Sequence, residues 1–466
     1  MSINSIPFLI CFFVFLTIYY SQRNASSQNW AIAIGSLLFY LHANAEMLPV
    51  LAISTLIFYF IGLLIEKKKR FVGPYLIYGI GIVILGIFKY FDFFFDSFNG
   101  VYEYIDEDIV EIPHFHLILA LGLSFYTFRM MSYALDVYNG KTKACHDLSR
   151  FFTYVSFFPA VLSGPIERFS NFDSQLDIHR NVNFTQMRVG FQQIVWGMFK
   201  KMVIADTAEM SVELVWKSPE TVWSPMLILA AFLYSIQIYC DFSGYSDMAL
   251  GVSKMMGINL TPNFKYPYFA RNIQEFWRRW HISLTSWFTD YVYIPLGGNR
   301  CCKARVYFNI IVVFALSGLW HGQNITYLYW GVYNGLLLVF FAIFGATKYK
   351  DTISKITPKS ISQLILTFLL ASFGWILFRS PSIDAFFLYC NGLVSPEQWM
   401  MEPINIFVHQ PRLFISLILL FFFEWKYRTE EFPFSKKLIN PLFLAIFFWF
   451  VISQRGGSID FIYYNF

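Results

Sequence analysis

The hydrophobic positions of this chain fall in long blocks and do not alternate. Apolar runs occupy about residues 6–20, 29–43, 47–65, 71–95, 115–135, 188–214, 225–252, 306–320, 324–347, 361–378, 411–424 and 436–453. Several approach the roughly 20 apolar residues an α-helix needs to cross a bilayer. The short alternating segments of a transmembrane barrel are not seen. The pattern predicts an all-α polytopic membrane protein with about 11 or 12 crossings, the shorter runs being tilted, broken or re-entrant. Two stretches resist that reading. Residues 151–169, FFTYVSFFPAVLSGPIERF, are apolar but broken by Pro159, Gly164 and Pro165, which predicts a re-entrant or interfacial segment buried in protein. Residues 257–305 are polar, aromatic and rich in arginine.

Composition agrees. Of 466 residues 56% are hydrophobic and 14% charged, against about 25% charged in a soluble domain. The chain is read as one integral-membrane domain, with a core over about 115–335, N-terminal helices in 1–114 and C-terminal helices in 336–466. The net charge of +5 is informative through its placement and does not indicate nucleic-acid binding. Basic loops follow the third span (EKKKR, 66–70), the fifth (Lys141, Lys143, Arg150) and later spans (Lys348, Lys350, Lys355, Lys359; Lys426, Arg428, Lys436, Lys437), whereas VYEYIDEDIVE (101–111) is acidic. The positive-inside rule puts the basic loops in the cytoplasm and the N-terminus outside. IPFLICFFVFLTIYY lacks a basic flank and a small-residue cleavage site, so a retained first helix is expected. The six cysteines form no CxxC pair, which argues against a thiolate zinc site or a disulfide framework.

Four stretches carry candidate chemistry. In GLWHGQNITYLYWG (318–331) His321 sits among apolar and aromatic residues. An ionisable group at membrane depth is costly and is a functional candidate by default. Burial disfavours the imidazolium, so the ring stays neutral and able to accept a proton. Gly318 and Gly322 leave room for another backbone or a substrate. The competing reading is a histidine hydrogen-bonded within a helix bundle. In EFWRRWHISLTSWFTDYVYIPLGGNR (275–300), helical spacing puts Trp277, Trp280, His281, Leu284 and Phe288 on one face. An interfacial anchor explains the tryptophans, including Trp287, but not His281. Arg278 and Arg279 suit lipid headgroups or the phosphates of an acyl donor equally. In YCDFSGYSDMALG (239–251), Asp241, Ser243, Tyr245 and Asp247 form either a structural network or the lining of a substrate tunnel, and Asp241 is also a candidate to orient a histidine. In LGLSFYTFRMMSYALDVYNG (121–140), Arg129, Tyr133 and Asp136 share a helical face, which suits packing. No HExxH, P-loop or GxSxG motif occurs. No metal is expected.

Together these stretches, with GLSFYTF (122–128), SYALDVY (132–138), YVSFFPAVLSGPI (154–166), SGLWHG (317–322) and the terminal FIYYNF (461–466), resemble the membrane-bound O-acyltransferase family. The resemblance is to its bacterial, alginate-type polysaccharide-acetylating branch, with the D-alanine transfer proteins of teichoic acid synthesis also similar. It covers about residues 47–335 well and the last hundred weakly. It implies a ring of tilted helices around a central funnel and transfer of an acyl group from a thioester to a hydroxyl. The family's catalytic histidine falls on His321 and a second, supporting histidine on His281. Eukaryotic members carry asparagine or aspartate where His281 stands, which argues against a lipid-modifying or protein-lipidating member.

The expected enzyme is an O-acyltransferase of the bacterial inner membrane. It binds no cofactor and takes acetyl-CoA or another acyl thioester as co-substrate. His321 acts as base, Arg278, Arg279 and Arg300 hold the donor's phosphates, and Trp320 and Asn324 are candidate oxyanion donors. The acceptor is an alginate-like or other cell-surface polysaccharide, reached directly or through an extracytoplasmic SGNH or esterase-like acetyltransferase. D-alanyl transfer to an envelope polymer is the nearest alternative. A transporter or flippase of a polar envelope precursor, with 121–140 and 239–251 lining its path, is the alternative without chemistry.

Overall fold

The computed structural model describes residues 3–68, 72–105, 121–344, 357–402, 411–433 and 441–453. The acidic stretch beyond residue 105, the lysines at 348, 350, 355, 436 and 437, and the terminal FIYYNF lie outside the described residues. All regular elements among the described residues are helical, as the block-like hydrophobic pattern predicts. They form two compact units, residues 1–184 with 256–261, and residues 185–255 with 262–466.

The first unit contains α1 (Ile6–Tyr20), α2 (Ala25–Asn44), α3 (Leu48–Lys68), α4 (Pro74–Ile105), α5 (Leu123–Tyr138), α6 (Leu148–Ser156) and α7 (Phe169–Leu176). Asn24 starts α2 by accepting the Ser27 N–H at 2.8 Å. Asn44 then leaves the helical region at φ −161°, ψ 73°, before a 3-10 turn over Ala45–Met47. That turn separates α2 from α3 where the sequence predicts two spans. Between α6 and α7 the chain is irregular yet buried, as Pro159, Gly164 and Pro165 predict. Buried carbonyls need donors, and Arg129 of α5 supplies them. Its guanidinium reaches the carbonyls of Val155 (3.4 Å), Pro165 (2.9 Å) and Ala160. The Tyr154 hydroxyl donates to the carbonyl of Glu167 at 2.9 Å, and the Tyr133 hydroxyl accepts the Cys145 N–H at 2.9 Å. The polar face of α5 therefore serves packing.

The second unit carries α8 (Phe184–Met198), a π-helical turn over Phe199–Ala205, α9 (Asp206–Lys217) and the long α10 (Ser224–Met255). After α10 come α11 (Ile273–Arg279), α12 (Ile282–Phe288), α13 (Lys303–His321), α14 (Ile325–Ile343) and α15 (Pro358–Arg379). The remaining elements are α16 (Ile383–Val394), α17 (Pro396–Trp399), α18 (Pro411–Lys426) and α19 (Pro441–Ile452). The sequence pattern carries no expectation for α16. Among the described residues of both units, 6 helical stretches are long and apolar enough to cross a membrane, one of them the whole of Ala25–Lys68. Ile6–Tyr20 and Ile383–Val394 are apolar but shorter.

One expectation is corrected. The face shared by Trp277, Trp280, His281, Leu284 and Phe288 presumes a continuous helix. The helix stops instead at Trp280 (φ −102°, ψ 128°) and restarts after His281, which is left-handed at φ 43°, ψ 55°. A neighbouring segment pairs with the break: the Lys265 N–H donates to the Arg279 carbonyl (2.9 Å) and the Ile282 N–H to the Asn263 carbonyl (2.8 Å). Tertiary hydrogen bonds override the helical period here. The tryptophans are also not surface anchors, since Trp277, Trp280 and Trp287 are all buried.

Candidate active site

His321 is the last residue of α13. Gly322 continues in extended backbone (φ 176°, ψ 177°), and Asn324 opens α14 by accepting the Thr326 N–H at 3.4 Å. The two helices form a tight antiparallel pair. A Cβ on Gly318 would collide with the Tyr327 carbonyl, and one on Gly331 with the Phe314 carbonyl. The room left by Gly318, and by Gly322 against the Tyr327 ring, is thus filled by α14 and not by a substrate. This packing fixes where the imidazole sits. Its ring lies 4.7 Å from Trp320, 5.2 Å from Trp330 and 5.1 Å from Phe378, centroid to centroid, each edge to face.

His281 approaches from the broken helix between α11 and α12. Its ring lies 4.6 Å from Phe242 and 6.3 Å from Trp320, so Trp320 contacts both histidines. His281 is 2% and His321 4% exposed. Burial lowers the His281 pKa to about 3, because an imidazolium among aromatic rings loses its hydration. His281 is therefore neutral at ordinary pH. A non-glycine residue held at positive φ costs on the order of 1–3 kcal/mol and persists only where its surroundings over-determine it.

The two histidines line one cavity of about 60 Å³, walled by Trp277, Trp280, Trp330 and Trp375. Thr285, Thr289 and Ser317 are its hydroxyl-bearing residues. On the scale at which one water occupies about 10–15 Å³, the space suits a group of a few heavy atoms. Two imidazoles, three hydroxyls and a largely aromatic wall suit proton transfer to and from a small polar reactant.

The other candidate residues divide. Arg279 is buried and gives its guanidinium to Glu275 at 2.5 Å, where Arg271 also pairs at 3.0 Å. Arg278 and Arg300 are exposed. Asp241 is paired with Lys201 at 2.5 Å, and Lys201 also holds Asp206 at 2.8 Å. Asp247 accepts from Lys200 at 2.6 Å and from Gln193 at 3.0 Å. Lys200 also donates to Ser243 at 2.8 Å. Tyr245 is fully buried. The polar stretch of α10 thus meets two lysines that sequence reasoning passed over, although KK inside GMFKKMVIA (197–205) is their signal. Asn324 gives its side-chain amide to the Pro381 carbonyl. Also missed were Trp330, Trp375 and Phe378, which read as ordinary apolar positions until the fold brings them around His321.

Comparison with known proteins adds an independent line. A family model described as MBOAT, membrane-bound O-acyltransferase family, matches residues 143–373. The chain is 36% identical over 417 residues to a probable alginate O-acetylase AlgI of Pseudomonas aeruginosa, covering 87% of this chain and 77% of that protein. It is 32% identical over 406 residues to a peptidoglycan O-acetyltransferase of Helicobacter pylori, covering 81% and 75%. Against a teichoic acid D-alanyltransferase of Bacillus subtilis it is 31% identical over 279 residues, covering 57% and 70%.

Proposed function

The chain belongs to the membrane-bound O-acyltransferase family and is a multi-pass O-acyltransferase, and from that premise we propose that it moves acetyl groups from cytoplasmic acetyl-CoA towards an exported polysaccharide, with His321 as the base. The observation that carries this reading is the meeting of His321 and His281 on one small aromatic cavity. The relatives named for O-acetylation match over more of the chain than the D-alanyl relative does, which favours acetyl as the group moved. An alginate-like or peptidoglycan acceptor follows from the same relatives.

The chemistry needs one proton carrier. Neutral His321 takes the proton of an acceptor hydroxyl as its oxygen attacks the thioester carbonyl. The carbon–sulfur bond then breaks, and the leaving thiolate takes the proton from the imidazolium. His281, kept neutral by burial, supports by orienting the acyl group or the acceptor. The exposed Arg278 and Arg300 are the candidates to meet the donor's phosphates, whereas Arg279 is occupied by Glu275. The N-terminus lies outside, the acceptor side faces outwards, and an SGNH or esterase-like partner there passes acetyl groups to the polymer. Holding the reacting ends of both substrates in one cavity supplies much of the rate gain.

The test is transfer of radiolabelled acetyl from acetyl-CoA in vesicles holding the purified protein, with oligosaccharide acceptors and a candidate partner enzyme. Label on the glycan or the partner supports the reading. Label only from a D-alanyl donor, or none from any thioester, overturns it.

A further inference from the structure

Both amides that follow His281 end on the same distant residue. We propose that Asn263 is a positioning residue that holds His281 in its left-handed conformation and so keeps the imidazole on the cavity wall. The functional part of this proposal rests on the cavity being the acyl-transfer site.

Asn263 is fully buried. Its carbonyl accepts the Ile282 N–H at 2.8 Å. Its side-chain Oδ1 accepts the Ser283 N–H at 3.3 Å and the Ser283 hydroxyl at 2.6 Å. Its Nδ2 donates to Ser246 Oγ of α10 at 3.3 Å. The first amides of a helix need acceptors, and the His281 side chain caps none of them in α12. Asn263 does so from across the fold, anchored in turn to α10. Its neighbour Phe264 packs edge-on against Phe242 and Trp280, each at 5.1 Å, and Phe242 is the ring nearest His281 on that side. Residue 263 thus fixes the backbone at the break while residue 264 fixes the rings behind it.

Among the described residues, Tyr266 and His281 are the non-glycine positions with positive φ. Tyr266 directly follows the paired segment 263–265, and His281 lies within its partner 279–282. Strain concentrated on both sides of one clamp points to a conformation imposed from outside the helix. With Oδ1 removed, residues 280–282 can relax towards the continuous helix that their side-chain period favours. The imidazole then leaves its place, and displacements of about 1 Å already cost on the order of 100-fold in rate.

The test uses purified protein in detergent. Diethyl pyrocarbonate modification of His281 is followed by mass spectrometry, and size-exclusion behaviour reports folding. Asn263→Ala is expected to raise the modification rate of His281 about tenfold. It should lower kcat for acetyl transfer about 100-fold with KM within about twofold. Ser283→Ala removes one of the two bonds to Oδ1. It should move both readouts less and in the same direction, and it carries the test if Asn263→Ala does not fold. An unchanged His281 rate in the folded alanine variants overturns the assignment. If the modification rates move as expected but the wild-type protein transfers no acetyl group, the clamp stands and the acyl-transfer reading fails.

Discussion

Trp375 tests whether the small cavity sets the size of the acyl group. It is 2% exposed, lines the cavity, and lies 4.8 Å from Trp280 and 5.7 Å from Trp330, ring to ring. Replacing it with phenylalanine removes one ring's worth of wall and keeps an aromatic face for both neighbours. The wild-type space of about 60 Å³ is that of about four to six waters, to be shared by the acyl group and the acceptor hydroxyl. Each added methylene that finds a dry site contributes about 0.8 kcal/mol, which is roughly a fourfold change in relative kcat/KM. Trp375→Phe should therefore raise the propionyl-to-acetyl ratio about fourfold and the butyryl-to-acetyl ratio about 15-fold. The stability cost of the swap should be about 1–3 kcal/mol, against about 3–5 kcal/mol for Trp375→Ala. The assay is competition between the three acyl-CoA donors, read as thiol release and acylated product, with thermal stability measured alongside. A folded variant whose donor ratios match wild type would refute the idea that this wall bounds the acyl group.

Two further outcomes follow from the same geometry. Lys201→Met leaves Asp206 and Asp241, with side chains 7% and 3% exposed, buried without their cation. It should cost about 3–5 kcal/mol, seen as a lower melting temperature, and adding Asp206→Asn with Asp241→Asn should restore most of it. His281 has a folded pKa of about 3, below its usual 6.5, so the unfolded chain binds the extra proton between those values. Its contribution to stability is complete above pH 6.5 and is lost as pH falls towards 3. In the range of about pH 5–8 His281 does not titrate in the folded protein. His281→Gln should therefore lower the rate without moving the acidic limb of the pH–rate profile, whereas a shift of that limb would assign the titration to His281.

The legible parts of this protein were those set by local pattern. Blocks of apolar residues predict the helices, Pro159 and Pro165 predict the buried irregular segment, and two histidines in aromatic sequence mark the cavity. Long-range partners were not legible. Nothing in the period of residues 275–288 reveals a break at His281, because the acceptors that stabilise it are on Asn263, almost 20 positions away. The polar residues of α10 suggest a network, but their partners Lys200 and Lys201 come from a separate helical run. Arg129 reads as helix glue, and only the fold shows that it binds the carbonyls of the irregular segment. Trp330, Trp375 and Phe378 became site residues solely through the packing of α13, α14 and α15.

The central claim is that His321 is the base, and the most direct measurement compares wild type with His321→Gln in thiol release from acetyl-CoA. Purified protein is supplied with a saturating hydroxyl acceptor, and folding is matched by size exclusion and melting temperature. Loss of a positioned general base predicts a fall in kcat of about 100- to 10,000-fold with KM for acetyl-CoA nearly unchanged. A folded His321→Gln protein that turns over at the wild-type rate would contradict the account.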